Sequence, residues 1–151
     1  MAKGKIEVGD TIPNFELKDS NGEVFKVNKE EEKKRVIYFY PKDNTKVCTE
    51  QACSFREWQD DFLEKGYEVI GISSDSVDSH AKFKAKNNLN FTLLSDPKNK
   101  VAKLFGATIL FGLMTGRKTF VIDTQGKVKY IYDSLMEGKK HVEKLLKSNT
   151  L

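Results

Sequence analysis

The sequence predicts an α/β fold in which helices cover both faces of a mixed central sheet and a β-hairpin is added at the N-terminus. Three observations carry this. Between residues 35 and 105, apolar strand-like runs alternate with helical patterns, the arrangement expected of parallel crossovers. Turn sequences at 19–22 and 124–126 each separate two short apolar-rich segments, which reads as a hairpin toward either end. The last periodic segment, 141–147, sets Val142, Leu145 and Leu146 on one helical face.

Each element has its own justification. Asn14–Leu17 and Glu23–Lys26 alternate apolar and polar residues around Asp19-Ser20-Asn21-Gly22, with Asn-Gly at the turn. The charged stretch Glu30–Lys34 reads as a loop. Arg35–Tyr40 is nearly all apolar and stops at Pro41, as a buried central strand does. From Cys48 to Lys65 the residues Cys48, Ala52, Phe55, Phe62 and Leu63 recur at helical spacing, and Gly66 is placed to end the helix. Tyr67–Ser73 is a second central strand, Asp75–Asn88 has helical character, Phe91–Ser95 is a short strand, and Lys100–Phe105 is a short helix. Lys118–Asp123 and Lys127–Tyr132 flank Thr124-Gln125-Gly126 before the closing helix. This order has the form of a thioredoxin-like fold with an extra N-terminal hairpin.

At 151 residues the chain is expected to form one domain, 1–151, with a core that needs no disulfide staples. The start, Met1–Val8, is basic and lacks the apolar stretch of a secretory leader, and no segment has the length needed to span a bilayer. A cytoplasmic protein without membrane attachment is expected. The net charge of +4 comes from 26 basic and 22 acidic residues interspersed along the chain, with no basic stripe interleaved with aromatics, so nucleic-acid binding is not expected. His80 and His141 stand alone as surface or helix residues, and two cysteines five apart lack matching ligands, so a structural metal site is not expected.

The chemistry concentrates at Cys48 and Cys53, the only cysteines, where an extended run gives way to a helix. A cysteine in the first helical turn meets unpaired backbone N–H groups and the positive end of the helix dipole, both of which favour S⁻ over SH. In a reducing compartment such a pair more often does chemistry than structure. Thr45, three residues earlier, is placed to cap the helix and to hold a peroxide oxygen with its hydroxyl. Arg117, one of only three arginines, is a permanent forked cation able to fix a thiolate and a peroxide oxygen together. Pro41 lacks an N–H and can shield the sulfur from water. Arg56 reads either as a partner of Glu50 or Glu57 or as a support for Arg117.

These residues resemble the Pro-x-x-x-Thr-x-x-Cys pattern and distant arginine of the peroxiredoxins, in particular the bacterioferritin-comigratory or Q-type group. The resemblance extends to Gly9-Asp10, Pro13-Asn14-Phe15, Phe55-Arg56-Glu57 and Phe91–Asp96. It implies a thioredoxin fold, reduction of hydrogen peroxide and organic hydroperoxides, no metal or prosthetic group, and recycling by thioredoxin or a similar dithiol protein. The group resembles both monomers and weak dimers, and a monomer is the expectation here. A peroxide-sensing switch without efficient turnover is the alternative.

Two departures stand out. Many members read Thr-Pro-Gly-Cys where this chain has Thr45-Lys46-Val47-Cys48, so a preset φ is lost and a cation is gained near the sulfur. The segment Thr108–Gly116 is short and apolar beside the longer loop common in the group, and within it Ile109–Met114 reads as core, pocket rim or interface. Residues five apart in a helix have Cα atoms roughly 8 to 9 Å apart on different faces. A disulfide requires about 7 Å or less. The expected cycle is therefore attack by Cys48, a sulfenic acid on Cys48, local unwinding of the helix, and closure of the disulfide with Cys53.

Overall fold

The computed structural model describes residues 5–148 and 151. Residues 1–4, half of the start read above as leader-free, lie outside the described residues. Seven strands form one mixed sheet: β1 (Phe15–Asp19), β2 (Val24–Val27), β3 (Lys34–Phe39), β4 (Tyr67–Ser73), β5 (Thr92–Ser95), β8 (Lys118–Ile122) and β9 (Val128–Asp133). The spatial order is β2-β1-β5-β4-β3-β8-β9. Strands β3, β4 and β5 are parallel, joined through α1 (Lys46–Glu57), α2 (Gln59–Glu64) and α3 (Val77–Lys86). β8 returns antiparallel to β3, and β9 to β8, while the N-terminal hairpin adds to the β5 edge through β1.

Period-two alternation along β3 divides the core. Val36, Tyr38 and Tyr40 face the layer holding Cys48, Ala52 and Phe55 of α1, Phe83 of α3 and Val142 of α5 (Gly138–Lys147). Ile37 and Phe39 point the other way, to Val101, Ala102 and Phe105 of α4 (Lys100–Phe105). Helices thus cover both faces, as the sequence predicts, with most of them on the Cys48 side.

Three local outcomes differ from the sequence reading. The helix expected over 48–65 begins at Lys46 and is interrupted at Trp58, whose φ/ψ of −102°/10° separates α1 from α2. Gly66 does end it, with φ +85° and its N–H bonded to the Leu63 carbonyl. The apolar segment after α4 forms a small two-stranded sheet, β6 (Thr108–Ile109) with β7 (Met114–Thr115). Its tip is not core, because Leu110, Phe111 and Leu113 are all exposed. Gly116 closes this hairpin through an N–H bond to the Ala107 carbonyl, and Arg117 follows directly.

Glycine at the start of α5 permits the closest helix contact near the cysteine. A Cβ on Gly138 would lie 2.5 Å from the Val47 carbonyl oxygen and 2.9 Å from Gln51 Cβ. The first turns of α1 and α5 therefore touch backbone to backbone, beside Cys48.

Candidate active site

Cys48 is the third residue of α1 and is 1% exposed. The first intrahelical bond runs from the Thr49 N–H to the Thr45 carbonyl, so the N–H groups of residues 46 to 48 lie in the turn that has no intrahelical acceptors. Arg117 arrives from the opposite side, between β7 and β8, and is 4% exposed. Its guanidinium is engaged on three sides. Nη2 donates to Cys48 Sγ at 3.2 Å, Nη1 to Gln51 Oε1 at 2.7 Å, and Nε to the Leu135 carbonyl at 2.7 Å. A charge-assisted donor of this kind is stronger toward a thiolate than toward a thiol.

Gln51 was not singled out by sequence reasoning. It is fully buried one turn after Cys48 and holds the arginine in place, while its Nε2 has no hydrogen-bond partner among the described residues. The available signal was its spacing: three residues after Cys48 in a helix lies on the same face. Tyr38 also lies beside the sulfur. Burial, then the nearby Cys48 and Asp43, push its phenol well above the ordinary value, so its hydroxyl keeps its proton.

Thr45 occupies the N-cap position, but its hydroxyl donates to the Lys42 carbonyl at 2.8 Å and caps no helix N–H. The expected side-chain cap is therefore absent, and the hydroxyl instead tightens the turn leading into α1. Pro41 is half-buried in the same turn. Arg56 donates to the Asn87 carbonyl at 2.7 Å and lies 3.6 Å from Glu57, which is the structural alternative and not a support for Arg117.

Cys53 is two turns away from the helix start, half-buried, with its thiol 3.9 Å from Asn87 Oδ1. Both cysteines are free thiols. Cys53 borders a cleft of about 660 Å³ between α1 and α5, lined also by Thr49, Glu50, Trp58, Lys139 and Glu143; Cys48 does not line it.

Neither histidine is a surface residue. His80 and His141 are both fully buried, because each ring satisfies hydrogen-bonding groups of the interior. His80 meets Asp43 rather than standing alone. His141 Nε2 donates to the Ser134 carbonyl at 2.8 Å, and Nδ1 pairs with the Thr119 hydroxyl at 2.8 Å. The ring thereby fastens the segment that presents the Leu135 carbonyl to Arg117. Burial, chiefly, pushes the His141 imidazole down from 6.5 to about 4. Between these values the unfolded chain binds a proton that the folded one does not, so stability is full above pH 6.5 and falls as the pH drops toward 4. The contribution is at most on the order of 3 kcal/mol. Denaturant titrations at several pH values should show this slope in the wild type and lose it in His141→Gln; an unchanged slope in the variant would refute the assignment.

A thiol contacted by a buried arginine at a helix start has the chemistry of an activated nucleophile. Residues 8–131 match the AhpC/TSA family. The chloroplastic peroxiredoxin Q of Oryza sativa subsp. japonica is 46% identical over 145 residues, covering 95% of this chain and 67% of the rice protein. The crystal structure of peroxidoxin BcpB from Mycobacterium tuberculosis superposes with a TM-score of 0.86 at 36% identity, covering 93% and 94% of the two chains. A bacterioferritin comigratory protein of Xanthomonas campestris, studied for alkyl peroxide reduction, gives 0.80 at 28% identity, with 97% and 98% covered. The chain belongs to the AhpC/TSA family, and the resemblance to Q-type peroxiredoxins is borne out. Among the described residues no helix is long and apolar enough to cross a membrane.

Proposed function

We propose that this protein reduces hydrogen peroxide and organic hydroperoxides with Cys48 as nucleophile and Cys53 as resolving thiol. The observation that carries the assignment is the 3.2 Å contact of Arg117 Nη2 with Cys48 Sγ. In the first step the thiolate attacks one peroxide oxygen and the O–O bond breaks. Cys48 becomes a sulfenic acid, and the departing alkoxide or hydroxide takes a proton and leaves as alcohol or water. Arg117 offers donors where negative charge develops on the leaving oxygen. Thr45 orients the peroxide once its hydroxyl turns from Lys42, and Pro41 keeps water from the sulfur.

The second step needs a structural change. Cys48 and Cys53 sit five residues apart within α1, too far apart for a disulfide in an intact helix. After α1 unwinds, the Cys53 thiolate attacks the Cys48 sulfur, the S–O bond breaks and water is released. A thioredoxin-type dithiol then restores both thiols by exchange. Nucleophile and resolving thiol lie on the same helix, α1, so the proposed cycle needs no second copy of the chain. A redox-active cysteine pair suits a reducing compartment, and a cytoplasmic location is part of the proposal.

Peroxide consumption with a thioredoxin system tests the cycle. Cys53→Ser should reduce about one peroxide per chain and then stop, with a sulfenic acid on Cys48 by mass spectrometry. Sustained wild-type turnover by Cys53→Ser would rule out its resolving role. Stoichiometric oxidation of the wild type, with no turnover under any dithiol reductant, would favour the peroxide-sensing switch.

A further inference from the structure

We propose that Asp43 and His80 form a buried carboxylate–imidazolium pair that positions the loop carrying Pro41 and Thr45, which makes Asp43 and His80 positioning residues for attack by Cys48. The proposal rests on the peroxidase reading above. Asp43 is 3% exposed and His80 fully buried. His80 Nδ1 lies 2.7 Å from Asp43 Oδ2, and Nε2 lies 2.9 Å from the Leu94 carbonyl oxygen. A carbonyl only accepts, and an ionised carboxylate only accepts. Beside an ionised Asp43 both ring nitrogens face acceptors, and in the proposed pair both donate. Both carboxylate oxygens are engaged: Oδ1 accepts from the Tyr40 hydroxyl at 2.6 Å, and Oδ2 also accepts from the Ser79 hydroxyl at 2.8 Å.

The loop is held by its backbone as well. The Asp43 N–H donates to Asp75 Oδ2 at 2.8 Å, and Asp75 is fixed in turn by the Ser73 hydroxyl at 2.6 Å. The titratable groups facing the pair are thus Tyr40 from the end of β3 and Asp75 from the segment between β4 and α3. Burial keeps the Tyr40 phenol well above its ordinary value, so it stays a donor. Asn44, the next residue, has φ +63°, a backbone conformation that persists where the surroundings over-determine it. Asp43, Asp75 and His80 also bring ligand atoms close enough to share a cation. That reading is weaker, because the carboxylate oxygens already accept from Tyr40, Ser73, Ser79 and a backbone N–H.

The pair defines one end of the segment that must open. At the other end of α3, the Asn87 carbonyl holds Arg56 and the Asn87 side chain meets the Cys53 thiol. One helix therefore grips the chain before Cys48 and again after Cys53. Disulfide closure requires the turns of α1 between these two grips to open.

Two measurements test this. In ¹⁵N-labelled reduced protein at neutral pH, both His80 ring nitrogens should carry protons in long-range ¹H–¹⁵N spectra; a lone-pair nitrogen would overturn the charge pair. In rapid-mixing experiments, Asp43→Asn and His80→Gln should slow attack on hydrogen peroxide roughly 10- to 100-fold. Disulfide formation from the sulfenic acid should stay within about twofold, since that step needs the site open anyway. Wild-type attack rates in both variants, or equal slowing of both steps, would overturn a positioning role. A variant that fails to fold leaves the ring spectrum of the wild type as the deciding result. A wild type that does not reduce peroxide would instead overturn the functional reading, which the spectrum does not depend on.

Discussion

Cys48→Ser is expected to abolish peroxide consumption, with a loss on the order of 10⁴-fold or more. The substitution keeps the shape of the side chain and a hydrogen-bonding atom for Arg117, but a serine hydroxyl stays un-ionised near neutral pH and is a weak nucleophile toward the O–O bond. Cys53 does not substitute for it. That thiol is only half-buried, lies in the middle of α1, and meets a neutral amide oxygen in place of a guanidinium. The fold should survive, because one small buried group replaces another in a layer otherwise built from Tyr38, Ala52 and Phe55. Peroxide assays with and without thioredoxin, alongside thermal melts, measure both effects. Retention of wild-type turnover by Cys48→Ser would sink the mechanism.

The sheet was legible because each central strand advertises itself locally. Val36, Tyr38 and Tyr40 on one face and Ile37 and Phe39 on the other form a run without polar interruption. Cys48 and Arg117 could be singled out in the sequence because few residue types offer a nucleophilic sulfur or a permanent forked cation, and the fold brings them within 3.2 Å of each other. What escaped was set by tertiary partners. Thr45 has the right residue type for a cap, yet the carbonyl of Lys42 captures its hydroxyl first. Histidine spacing carries no sign of burial, and His80 becomes an interior residue only because a loop 37 residues away delivers Asp43 to it. The break at Trp58 follows a continuous helical pattern with no glycine or proline to mark it. Gln51 looks like an ordinary polar helix residue until the segment before β8 brings Arg117 against it.

Arg117→Met should lower the rate of attack on hydrogen peroxide by about 10²- to 10³-fold, the usual cost of removing a donor aimed at developing charge. The reason lies in what the arginine lacks. Its three hydrogen-bond partners are a sulfur, an amide oxygen and a backbone carbonyl, and none is a carboxylate. A cation buried to this degree is costly without a counter-charge, and a guanidinium so placed lies where negative charge develops during attack by the sulfur. Methionine fills the stem volume but leaves the sulfur without its donor. It also strips Gln51 of the partner of its Oε1, in a side chain whose Nε2 has no partner among the described residues. Arg117→Lys separates charge from geometry: one ammonium cannot reach all three acceptors in a fixed fork, so its rate should fall between wild type and Arg117→Met. Second-order rate constants of the reduced proteins with hydrogen peroxide decide the matter. If Arg117→Met reacts as fast as wild type, the contact with Cys48 Sγ is structural and the site stabilises its transition state by other means.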